Sequence, residues 1–391
     1  MDEVRANLNR YMRKLCTEIG SRHCGSPALD EAGEYVAEQF SALGLPVRKE
    51  PFPVPGWRFR AFSFLDLTTG EAVPAASACY YSGAADITDV PLWLEINDPE
   101  ETELPDVRGR LCFVASWYAK STTRYYNRVA ALLEQKGAAA AVFLSVGQTD
   151  LSPNTKIERN PFVKSMASVS VAQAGALYIA NHREDTYHLV VDAESFDATA
   201  FNVIARLGSG PRRAVIGAHY DAAPLIQGAA DNAGGTAVLL ELARLLRGRV
   251  PDEWTVELAA FSAEEIVPDQ LPLGSEDYVK RHGQEPIEWL LNIDGPSAYF
   301  DVPVVLLGLP EKLPPIRYPY ETQPTSYIGD DKAFGKVGIP SVWIFKRRAF
   351  GERHTPEDNL SCIDFSRMEK TVHEYVDLFT QLVHSAGGKN G

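Results

Sequence analysis

The stretch IGAHYDAAPLIQGAADNAGGTAVLLELARLL, residues 216–246, decides how the rest of the chain is read. It continues an apolar strand that starts at Ala214, passes through a loop rich in glycine and alanine, and ends in near-continuous apolar residues from Ala237 to Leu246 that predict a helix. His219 stands where the strand should end, and Asp231, twelve residues on, where the helix should begin. A strand end and a helix start meet at the carboxyl edge of an α/β sheet, where such folds place their chemistry. Asp231 or Asn232 could simply cap the helix. The loop nevertheless carries Gly228, Gly234 and Gly235, and Asp221 follows His219 at the spacing of a carboxylate that orients a liganding imidazole.

Downstream the same rhythm repeats. WTVELAAFSA runs into Glu264 and Glu265, WLLNID ends at Asp294, and the loop after GIPSVWIF reaches His354 within ERHTPEDNL. VELAAFSA and SVWIF are apolar runs broken only by Glu257, Ser262 and Ser341, as expected of strands covered on both faces. Helices are expected at GSEDYVKRH and from about Asp364 to Ser385, and two more at residues 1–20 and 28–43, ending at Gly20 and Gly44. His23, in the loop SRHCGSP between these two, reads as a surface or packing residue.

Between about Pro55 and Phe201 the texture changes to short β-like runs, with Pro53, Pro55 and Gly56 as punctuation at the junction. DVRGRLCFVAS predicts a charged turn into a strand, YYNRVAALLEQKG a helix leading into the apolar AAAAVFLSV, and SMASVSVAQAGALYIA a strand with a small helix. This stretch resembles the protease-associated (PA) domain. Nothing in it has the pattern of a catalytic residue.

The composition is that of a globular protein, 45% hydrophobic and 23% charged over 391 residues, enough for two domains. A net charge of −14 disfavours nucleic-acid binding, which needs a basic footprint. No apolar run approaches the roughly 20 residues that cross a bilayer, so no membrane partner is expected. Five cysteines without a CxxC pair argue against a disulfide framework. The acidic N-terminal sequence has no apolar signal core, and a cytoplasmic location is expected. Oligomeric state is not legible.

Two imidazoles and three carboxylates, with no thiol, form an oxygen and nitrogen donor set that suits zinc, and less exclusively cobalt or manganese. His219, Asp231, Glu265, Asp294 and His354 over-supply one ion. Two ions roughly 3.5–4 Å apart and sharing a bridging carboxylate would use them all. Glu264 is then left to act as a general base toward a water. Taken alone, an adjacent Glu pair would read as a solvated acidic turn.

GAHYD, GAADNAGG, FSAEE, NID, GIPSV and RHTPEDN, in this order, resemble the M28 family of dizinc peptidases over residues 1 to about 55 and 200 to 385. The resemblance implies a three-layer αβα peptidase domain with a mixed, mainly parallel sheet, from residues 1–55 and 200–391, and a PA-like domain inserted at 56–199. It implies two zinc ions, His219 and Asp294 on one, Glu265 and His354 on the other, Asp231 bridging, Glu264 as base and Asp221 orienting His219. The expected substrate is a peptide or small amino-acid conjugate, and the expected activity an aminopeptidase. A carboxypeptidase or amino-acid deacylase of the same chemistry is the alternative, and a non-catalytic binding protein the remote one.

Three departures from the family pattern stand out. Gly329 precedes Asp330 where members carry serine, the connection IVPDQLPL after Glu265 is longer than usual, and Arg353 replaces a tyrosine expected to stabilise the oxyanion. Arg353 is accordingly a candidate for that role, and Lys346, Arg347 and Arg348 are either a solvated basic run or a site for a substrate carboxylate.

Overall fold

The structure, a computed structural model, describes residues 3–115, 123–144, 165–266, 273–296, 303–322, 329–346 and 354–385. The chain forms two compact units, with Pro55–Asp197 as a unit separate from the residues before and after it. Helix α1 (Glu3–Arg13) runs into a wider π-helical turn (Lys14–Ile19) that stops at Gly20, whose φ of 85° suits a residue without a Cβ. Helix α2 (Pro27–Ala42) has proline in its first turn and Ser26 as N-cap, its hydroxyl accepting the Leu29 N–H at 3.2 Å. Strand β1 (Val47–Asp66) then runs without interruption through Pro53, Pro55 and Gly56. The boundary between the units therefore falls inside a strand, where those residues suggested a break.

The second unit holds β2 (Ala76–Ala78), β3 (Ala85–Asp89), β4 (Leu92–Glu95), β5 (Leu111–Ala115), α3 (Thr123–Gln135), β6 (Ala140–Leu144), β7 (Ala167–Val171) and α4 (Gln173–Asn181). Its sheet has the order β2-β7-β6-β5-β4, with β4 to β7 parallel and β2 antiparallel. Every residue of β5, β6 and β7 is buried, as parallel strands covered on both faces require. Val129 and Leu133 of α3 pack with Cys112, Val114 and Phe143 in its core.

Strand β8 (Tyr187–Gly208) leads into the larger unit. There follow β9 (Arg212–His219), α5 (Gly234–Leu246), β10 (Trp254–Phe261), α6 (Leu273–His282), β11 (Ile287–Asn292), β12 (Pro303–Gly308), β13 (Tyr320–Thr322), α7 (Asp331–Lys336), β14 (Ser341–Lys346) and α8 (Phe365–Ser385). The main sheet has the order β1-β8-β10-β9-β11-β14-β12-β13. Its centre, β10-β9-β11-β14, is parallel, while β8 and β12 pair antiparallel at the flanks. The mixed, centrally parallel sheet expected from the sequence is present.

Alternation along the strands separates two cores. Val215, Ala259, Phe261 and Leu290 pack with Tyr278 and Val279 of α6 and Phe334 of α7. Residues of the other parity meet the opposite helix layer: Trp289 lies 5.6 Å from Trp254 and 6.2 Å from Phe379 of α8, centroid to centroid. Helix α5 packs against β9, β10, α1 and α8. Each large side chain so buried contributes about 1.5–3 kcal/mol, and together they fix the sheet whose upper edge carries the site.

Candidate metal centre

Register places the side chains. Phe261 pairs with His219, Asn292 with Gly217 and Trp343 with Asn292, so β9, β10, β11 and β14 end along one edge. Beyond β10, Ala263 adopts φ 61°, a left-handed conformation costly for a residue with a Cβ. That turn breaks the strand's alternation just before Glu264 and Glu265. Their N–H groups donate to Asp221 at 3.2 and 3.0 Å, so one carboxylate anchors the acidic pair.

Asp231 is not the helix cap. It lies in an irregular segment (φ −125°, ψ 85°) and is joined to Asn232 by a cis peptide bond. The capping falls to Asn232, which accepts the Gly235 N–H at 2.8 Å and donates to the Ile293 carbonyl at 2.9 Å. A Cβ on Gly235 would lie closer than 3.0 Å to both the Asn232 side chain and the Ile293 carbonyl, so only glycine permits this approach. Thr236 donates to the His219 carbonyl at 2.8 Å, fastening the start of α5 to the end of β9. From the far end of the chain, the Asp358 carboxylate accepts the N–H groups of Ala230 at 2.6 Å and Asp231 at 3.2 Å.

Asp231 stands between two imidazoles. Its Oδ1 is 3.3 Å from His219 Nε2 and its Oδ2 3.2 Å from His354 Nε2. Glu265 Oε1 is 2.9 Å from His354 Nε2. Around His219 Nε2, Asp294 Oδ1 lies at 3.8 Å and Glu264 Oε2 at 4.0 Å, while Asp221 Oδ1 is 3.4 Å from Nδ1 on the other side of the ring.

Burial opposes a charge on His219, yet the carboxylates of Asp221, Asp231 and Asp294 hold its proton well above the usual imidazole range. Burial first, and then the neighbouring Glu265, Asp294 and Asp330, push Glu264 well above the ordinary carboxylate range. Burial likewise lifts Asp330 to about 7, with Asp221 and Asp294 adding repulsion, and lifts Asp358 to about 7, with Asp231 adding to it. So many carboxyl groups gathered out of water call for a cation.

The donors fit a metal. Oδ1 of Asp294 is buried without a hydrogen-bond partner, and Nε2 of His219 faces carboxylate oxygens at 3.3–4.0 Å, the loose spacing of donors around a shared cation. One ligand atom each from His219, Asp231 and Glu265 lie within 4.8 Å of one another, and all three residues are buried. Nitrogen and oxygen donors without thiolate match the set zinc accepts.

The structure thus brings His219, Asp221, Asp231, Glu264, Glu265, Asp294 and His354 together at one sheet edge. Arg353, Arg347, Arg348, the Lys346 side chain and most of the long connection after Glu265 lie outside the described residues. Gly329 takes φ 85°, and a Cβ there would come 3.6 Å from Asp294 Oδ2 and 3.8 Å from Glu264 Oε1, so the position lacking serine borders the cluster. Sequence reasoning missed two supporting residues. Asp358 lay inside RHTPEDN but was given no role, and Arg22, beside His23 in SRHCGSP, is completely buried. An arginine among small loop residues gives no periodic signal.

Residues 202–377 match the profile of Peptidase family M28. The chain is 24% identical over 283 residues to Aminopeptidase YwaD of Bacillus subtilis, a match that covers 70% of this chain and 57% of that protein. It is 25% identical over 295 residues to Carboxypeptidase Q of Bos taurus, covering 68% and 60%. The chain therefore spans somewhat more than half the length of these relatives. Among solved structures, BSAP, a zinc aminopeptidase from Bacillus subtilis, superposes with a TM-score of 0.74 at 21% identity, over 98% of this chain and 94% of that one. A peptidase M28 precursor from Shewanella amazonensis gives 0.73 at 20% identity, over 98% and 97%. These two likenesses carry the fold. The profile match, which covers somewhat less than half of the chain, spans every residue of the cluster.

Proposed function

We propose that the protein is a dizinc exopeptidase, with His219 and Asp294 holding one ion, Glu265 and His354 the other, and Asp231 bridging. The observation that carries this is the Asp231 carboxylate, whose two oxygens are divided between two imidazoles at 3.3 and 3.2 Å. Bound zinc would polarise the scissile carbonyl and lower the pKa of water to about 7. The chain's own groups do the rest. Asp221 holds the His219 ring in one orientation and, through the two N–H groups it accepts, holds Glu264 beside the cluster. Glu264 takes the proton from the attacking water and returns it to the leaving amine. A buried carboxylate perturbed in this way by its surroundings is typical of catalytic sites.

We read the activity as aminopeptidase first. Carboxypeptidase is the second reading, since the relatives include one protein named for each activity. The deciding experiment is a screen of free-amino, N-blocked and C-blocked dipeptides with zinc or cobalt added. Hydrolysis that needs the free amine supports the first reading, and hydrolysis that needs the free carboxylate the second. No turnover of any dipeptide with either metal would refute both. The unit Pro55–Asp197 is proposed to be PA-like, and none of the cluster's residues comes from it. None of the five cysteines forms a disulfide, which suits a reducing compartment such as the cytoplasm. No helix among the described residues is long and apolar enough to cross a membrane.

A further inference from the structure

Arg22 lies in the loop between the π-helical turn and α2, outside the stretch matched to the family, and is fully buried. Its guanidinium hydrogen-bonds to backbone carbonyls: Nε to Tyr220 at 2.9 Å, Nη1 to Leu15, Gly20 and Gln227 at 3.0, 2.8 and 2.7 Å, and Nη2 to Gly228 at 3.1 Å. Its own carbonyl accepts the Ala222 N–H at 3.2 Å. The contacts fall in a pattern. Tyr220 and Ala222 flank Asp221 and follow His219, while Gln227 and Gly228 lead into the segment that carries Asp231. One planar fork therefore ties the turn bearing His219 and Asp221 to the loop bearing Asp231, and ties both to the N-terminal helices.

Burying a permanent charge is costly unless it is paired and hydrogen-bonded, and this guanidinium has both kinds of partner. Asp221 and Asp358, each hydrogen-bonded to the backbone of cluster residues, lie near enough to interact with it electrostatically. Gly228 also lies under the guanidinium, where a Cβ would come 3.4 Å from Nη2. We infer that Arg22 is a positioning residue for the metal pair: it sets the separation of the His219–Asp221 turn from the Asp231 loop, and with it the affinity for the ions.

This inference rests on the dizinc reading. The test uses the full chain as wild type, Arg22→Lys, Arg22→Gln and Tyr278→Phe, the last a destabilising control that removes the buried hydrogen bond from α6 to Glu257, away from the cluster. Zinc affinity is measured by chelator competition, and thermal unfolding with and without zinc. Lysine keeps the charge but cannot bridge Tyr220 and Gln227 with one rigid plane. The expected result is a 10–100-fold weaker zinc affinity for Arg22→Lys, the range typical of groups that hold ligands in place, against unchanged affinity for Tyr278→Phe. Should Arg22→Gln fail to fold, Arg22→Lys decides alone. If Arg22→Lys melts earlier yet binds zinc as the wild type does, Arg22 is merely structural and the inference falls while the dizinc reading stands. If the wild type itself takes up no zinc that Asp231→Ala abolishes, both fall.

Discussion

Replacing Gly235 with alanine tests whether the packing under Asp231 is as tight as it looks. Gly235 sits in the first turn of α5, where alanine is favoured over glycine by at most about 1 kcal/mol, so the bland expectation is a somewhat more stable protein. The structure argues the reverse. The new Cβ would overlap the Ile293 carbonyl, a backbone atom just past the end of β11 that cannot swing aside, and the Asn232 amide. Overpacking of this kind costs about 1–3 kcal/mol. Displacing Asn232 also breaks its bonds to Ile293 and Gly235, each worth about 1 kcal/mol. Against the propensity gain, the net is a loss of about 2–4 kcal/mol. Asn232 follows Asp231 directly, so the same shift should weaken zinc binding. Urea denaturation of wild type and Gly235→Ala, with and without zinc, measures both effects. A variant as stable as the wild type, with undiminished zinc affinity, would falsify the reading of this corner as rigid.

Glu264→Gln should keep zinc stoichiometry but lose about 10²–10⁴-fold in kcat, because an amide cannot accept the water's proton; a kcat close to that of the wild type would remove Glu264 from its role. Asp231→Ala should lose both metal and activity, and retention of two zinc ions measured by elemental analysis would end the bridging assignment. Stripping the protein with a chelator should lower its melting temperature, and zinc at about a thousand times its Kd should restore about 4 kcal/mol per site; a melting curve indifferent to zinc would argue against a built metal centre. Arg353→Ala, if that guanidinium stabilises the oxyanion, should lower kcat about 10²–10³-fold, and an unaltered kcat would leave the loop merely solvated.

The cluster was legible because parallel strands force it into the sequence. A strand buried on both faces reads as a largely apolar run, and a titratable residue at or just past its end is conspicuous, as His219, Glu264 and Asp294 are. What the sequence does not carry is local conformation that breaks periodicity. The irregular loop around Asp231 reads as an ordinary helix start, and the burden of capping moves to its neighbour Asn232. Strand β1 runs through three prolines, of which Pro53 and Pro55 with Gly56 suggest a turn, because a proline without an N–H is tolerated in a strand wherever no ladder bond is required of it. Arg22 was invisible for a different reason. Its partners are main-chain carbonyls, and no residue type announces a free carbonyl.

The spread of the cluster from residue 219 to residue 354 bears on how the protein is made. A chain emerging from the ribosome presents His219 and Asp231 long before His354 and Asp358. Only the adjacent glutamates and the Asp231 loop are local, and closing the long connections costs entropy that is recovered only when β14 joins the sheet. Until then the largely apolar strands β9 and β10 stand with an incomplete sheet beside them, in a condition open to aggregation. A metal cannot shorten that interval, because a partly synthesised chain offers it at most an incomplete set of ligands. Sheet assembly must precede metal loading, and limited metal supply should therefore yield a folded, empty protein that later zinc can fill.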